Sequence, residues 1–137
     1  NTGSSADPID GTVAQALTML EIESNTYTPS RSDGVNVASS SAESFMYYRI
    51  GKIVHFKGRL KITPTASSTL TRVDLALPHS VTLSSVTSLT GTMVNTIDEI
   101  TTPIQTIGPL LNQARISFTA TTTSEYLLLI DCMYVMP

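Results

Sequence analysis

Between residues 44 and 62 apolar and polar positions alternate with the two-residue period of an extended strand. Phe45 and Tyr47 alternate with Met46 and Tyr48, Gly51 and Lys52 interrupt the run, and a longer alternation follows. In that second run Lys52, Val54, Phe56, Gly58, Leu60 and Ile62 share one side, while Ile53, His55, Lys57, Arg59 and Lys61 share the other. The pattern predicts a hairpin with one face in a core and one in water. Pro64 ends it, because proline has no N–H to give to a ladder. The next strand is predicted over 72–77, closed by Pro78, and shorter ones over 81–86, 91–96, 104–107 and 114–119, each bounded by Gly, Pro, Asn or Ser and Thr clusters. The stretch 125–136 is the most apolar. Tyr126, Leu127, Leu128, Leu129 and Ile130 are consecutive, which predicts a strand covered on both faces, central in a sandwich or at a subunit interface.

Upstream the period changes. Over 10–23 Val13, Ala16, Leu17 and Leu20 recur at spacings of three and four behind a capping Asp7 or Asp10, which predicts a helix of about three turns. So short a helix is marginal alone in water, and its stripe packs either on its own domain or on copies of itself. Asn1 to Ala6 read as a flexible lead-in, and Asn25, Pro29 and Gly34 mark turns. About eight short strands behind one helix predict an all-β chain, an antiparallel β-sandwich of jelly-roll type with one short N-terminal helix. Residues 1–25 form the lead-in and helix, residues 26–137 the sandwich.

Composition narrows the reading. The 137 residues suit one core, and 41% hydrophobic residues exclude a disordered chain. Only 14% are charged, so Ser and Thr must supply much of the polar surface, and threonine's β-branch favours strands. A net charge of −3 provides no field to draw the chain onto nucleic acid or an anionic membrane, and no apolar run reaches the ~18 residues of a membrane helix. The first residues lack the basic and apolar pattern of an export signal. Cys132 is the one cysteine, which excludes an intrachain disulfide and suits assembly in a reducing cytoplasm; beside Met133 and Tyr134 it reads as buried filler.

Candidate chemistry is sparse. His55 and His79 have no Cys, Asp or Glu at a metal-ligand spacing, so neither a metal nor another cofactor is expected, and both read as solvated side chains. Asp98 and Glu99 are adjacent and point to opposite sides of an extended chain; a glycosidase pair brought together by the fold would leave no sign in sequence. There is no GxSxG elbow, phosphate loop or dinucleotide fingerprint. Arg49, Lys52, Lys57, Arg59 and Lys61 hold five of the eight basic residues. With His55, the Lys57, Arg59 and Lys61 side offers a face for an anionic sugar or phosphate; the plainer reading is a charged row that keeps a sheet face soluble.

The segment YYRIGKIVHFKGRLKITPT, Tyr47 to Thr65, resembles a β-domain found at the C-terminal ends of many phage tail-fibre, tail-spike and related virion proteins. Tyr48, Arg49, Ile50, Gly51, Lys52, Ile53 and Val54 match its hairpin, Leu75, Ala76, Leu77 and Pro78 its LP-ended strand, and TYTPS at Thr26 to Ser30 the stretch that leads into it. The resemblance covers residues 26–78 and implies a homotrimer on a virion, assembled in the host cytoplasm beside other virion proteins. It would bind a host surface glycan or protein, or cap the fibre and register three chains, without catalysis. Val13, Leu17 and Leu20 would then face the threefold axis. The alternatives are a capsid-attached head-fibre or decoration protein, a carbohydrate-binding module appended to an enzyme, and a glycan hydrolase.

Overall fold

The computed structural model describes residues 22–106 and 111–137. Among them ten strands form two antiparallel sheets. They are β1 (Ile22–Tyr27), β2 (Arg31–Val35), β3 (Val37–Ala42), β4 (Phe45–Ile50), β5 (Ile53–Pro64), β6 (Thr69–Ala76), β7 (Leu89–Asn95), β8 (Ile100–Ile104), β9 (Gln113–Ala120) and β10 (Tyr126–Val135). The large sheet runs β1-β4-β5-β10-β7-β8, with β3 pairing β5 beyond the end of β4; the small sheet runs β2-β6-β9. The expected β-sandwich is therefore present, and its core lies between the sheets.

The hairpin at its centre forms as the alternation predicts. Ile50 pairs with Ile53 across a tight turn in which Gly51 takes φ +60, a conformation glycine adopts without a side-chain clash. Val54, Phe56, Leu60 and Ile62 are fully buried, and the strand ends at Pro64. β10 lies between β5 and β7 and sends Tyr126, Leu128, Ile130, Cys132 and Tyr134 into the same core. From the small sheet Val73, Leu75, Ile116 and Phe118 close over them, and Phe118 meets Tyr126 edge-on at 5.0 Å between ring centres.

Several expectations need correction. Ile22 and Glu23, assigned above to the end of a helix, belong to β1, so the sandwich begins before residue 26. Residues 10–21 of that helix lie outside the described residues. No strand forms over 81–86; Leu83 is buried there, but its N–H is satisfied by the carbonyl of Leu111 and Ser85 caps a single 3-10 turn. Of the strand placed at 104–107, Ile104 ends β8, Gln105 makes only an isolated bridge to Arg115, and Ile107 lies outside the described residues.

The chain crosses between the sheets at Asn36, which takes φ +58 between β2 and β3. Its side-chain Nδ2 donates to the Ala66 carbonyl at 2.8 Å and to Thr71 Oγ1 at 2.9 Å, and its Oδ1 accepts from the Ala66 N–H at 2.8 Å. The turn from β5 to β6 makes the same crossing, so one side chain ties the two crossings together. Asn36→Ala is expected to lower the unfolding free energy by about 2–3 kcal/mol, from left-handed strain plus unmet polar groups. Asn36→Gly relieves the strain and retains only the hydrogen-bond loss. Urea denaturation of the two variants separates the terms, and equal losses would refute a strain contribution.

Candidate functional site

The outward face of the large sheet gathers the residues that the alternation places in water. Strand register sets them in rows that cross the sheet. One row is Ile22, Ile50, Ile53 and Val135 on β1, β4, β5 and β10. All four are aliphatic and between 38% and 53% exposed, an unusual grouping for a face in water. The next row is Ser24, Tyr48, His55 and Met133, and the one beyond it Thr26, Met46, Lys57 and Asp131. Further along, Arg59 faces Leu129, and Lys61 faces Leu127.

The structure thus brings His55, Lys57, Arg59 and Lys61 to one face, and it also supplies counter-charges. His55 Nε2 contacts Asp131 Oδ1, and the Tyr48 ring stands edge-on to His55 at 5.1 Å. Arg59 Nε lies 3.1 Å from Glu43 Oε1, and Lys61 Nζ 3.9 Å from Glu43 Oε2. Lys57 makes no ion pair among the described residues, and it borders two surface hollows that also share Met46. One, of about 490 Å³, is lined in addition by Arg59, Thr92, Val94, Leu129 and Asp131; the other, of about 320 Å³, by Ser24, Tyr48 and His55. The hollows offer aliphatic and aromatic walls with one uncompensated ammonium, which suits contact with another surface more than capture of a free polyanion.

A second cluster lies where β1 and β4 meet the segment after β6. His79 Nε2 is 2.7 Å from Glu23 Oε1 but makes no aligned hydrogen bond to it. Tyr47 donates its hydroxyl to Glu23 Oε2 at 3.1 Å, and burial together with that carboxylate raises its pKa. The Tyr134 hydroxyl accepts from the His79 N–H at 3.0 Å and donates to the His79 carbonyl at 3.3 Å. These contacts fasten residues 78 and 79 to the large sheet. Neither histidine is simply solvated, as the sequence reading had it. Each contacts a carboxylate from a distant strand, a relation that local spacing does not reveal.

No group of three or more His, Cys, Asp or Glu side chains among the described residues is placed to hold a metal ion. Cys132 is buried, and burial, with Asp131 next to it, pushes its thiol pKa up, which suppresses the thiolate that a nucleophile needs. Asp98 accepts from Asn95 Nδ2 at 2.9 Å and from Thr121 Oγ1 at 2.7 Å, and so secures the turn after β7 to the β9–β10 connection. Val13, Leu17 and Leu20 lie outside the described residues. No helix among the described residues is long and apolar enough to cross a membrane. No family model, no curated protein and no solved structure matches the chain.

Proposed function

We propose that this chain is a non-enzymatic fibre-end module of a phage virion, working as a homotrimer that binds a host surface glycan or protein or caps the fibre. The observation that carries the reading is the aliphatic row on the outward face of the large sheet, because a domain that keeps such a row in water gains free energy when another surface covers it. The hairpin and strand-end motifs that resemble the phage β-domain give the assembled form its setting. Loops at the ends of the sandwich are where receptor specificity would reside.

The test has two parts. Light scattering on the full chain is expected to give a mass near three times 14.7 kDa. Glycans and surface proteins of the host, arrayed and probed with the labelled chain, are expected to retain it. Binding to capsids alone would replace the adhesin with a decoration protein, and release of products from a polysaccharide would replace both with an enzyme.

A further inference from the structure

We infer that the outward face of the large sheet is where a second copy of this chain packs. The inference deepens the proposal above and rests on its assembled form; what it adds is the surface. The aliphatic row from Ile22 to Val135 is one edge of a larger apolar field, since Met133 and Leu129 on β10 are also more than 40% exposed. Val135 and Leu129 are six residues apart on one strand, about 20 Å, and the five strands from β1 to β7 span about 19 Å at the usual spacing.

Two features identify the occupant. The first is extent. A single helix is only about 10 Å wide and covers at most half of the field. The same face of the neighbouring copies, packed at about 10 Å, is broad enough to cover it. The second feature is charge. His55, Arg59 and Lys61 are matched by carboxylates of their own chain, so covering them orphans few charges. What remains is complementary between copies: Lys57 makes no ion pair among the described residues, while Asp131 touches His55 through one oxygen and stays 58% exposed. Turned toward a shared axis, each copy offers its Lys57 to the Asp131 of the next.

The test compares the full chain with Ile53→Glu, Val135→Glu and, as a control on the small sheet, Leu70→Glu, by light scattering over a hundredfold range of concentration. The expected result is an oligomer for the parent and the control, and a mass of 14.7 kDa for both face variants, with self-association weakened at least tenfold and far-ultraviolet dichroism unchanged. Face variants that keep the parent mass overturn the inference and leave the trimeric reading standing, with assembly through another surface. A parent that stays at 14.7 kDa throughout overturns both. Where a glutamate prevents folding, Ile53→Cys decides by thiol labelling: protection that grows with protein concentration supports the face, and alkylation as fast as a free thiol in the oligomer counts against it. The native Cys132 is buried and does not compete.

Discussion

Gly58→Ala is expected to cost about 3 kcal/mol of stability, and Gly58→Val to leave the chain unfolded at room temperature, at the upper end of what overpacking does to a core. A Cβ built at Gly58 would lie 2.4 Å from both Cγ and Cδ1 of Phe45, well inside any tolerable contact. The ring has nowhere to retreat. Phe45 is fully buried, with Tyr27 edge-on at 5.9 Å and Phe56 at 6.5 Å. The alternation along β5 reads Val54, Phe56, Gly58, Leu60, and the glycine stands where Phe45 covers the strand from above. Trimming the ring should therefore rescue: Phe45→Leu destabilises the parent, but restores part of what Gly58→Ala removes. Urea midpoints of the four proteins give the coupling directly. If Gly58→Ala lies within about 0.5 kcal/mol of the parent, the ring does not sit over the glycine.

The same strand shows why some of the fold is legible in sequence and some is not. β5 and β10 are written in local alternation because each has one face in the core, and Pro64 stops its strand by a property of one residue. β2 and β3 carry no such mark. β2, RSDGV, is exposed along its whole length, and β3, VASSSA, has no fully buried residue. Backbone pairing to β6 and β5 makes them strands, and pairing leaves little trace in side-chain polarity. The candidate site divides in the same way. The alternation places His55, Lys57, Arg59 and Lys61 together, whereas the carboxylates that meet His55, Arg59 and Lys61 come from elsewhere in the chain, Asp131 being 76 residues from His55. The run of consecutive apolar residues in β10 predicts cover on both faces. The described residues cover the inner face and leave Leu129 exposed on the other. That remainder is the feature of the sequence on which the proposed packing of copies rests.

Alkali is expected to unfold this protein well before its arginines titrate. Burial pushes the Tyr134 phenol up to about 12, and it raises Tyr27 and the Cys132 thiol further still. All three are neutral in the fold and acidify when the chain opens. A group whose folded pKa is raised lends stability that is complete below its unfolded value and lost as pH climbs toward the folded one. The thiol begins to subtract near pH 9 and the phenols near pH 10. Tyr134 alone accounts for at most about 2 kcal/mol by pH 12. Tyr27 and Cys132 act with the same sign, and a typical domain has only about 5–15 kcal/mol to lose. The thermal midpoint should accordingly stay level from neutrality to about pH 9 and collapse between about 10 and 12. Tyr134→Phe separates this from general charge repulsion. It forfeits about 1 kcal/mol at neutral pH, through its lost hydrogen bonds to the His79 backbone, yet falls less steeply above pH 10. Tyrosinate absorbance followed alongside circular dichroism makes the decision: if all five tyrosines ionise before any loss of β signal, burial is not what holds Tyr27 and Tyr134 neutral.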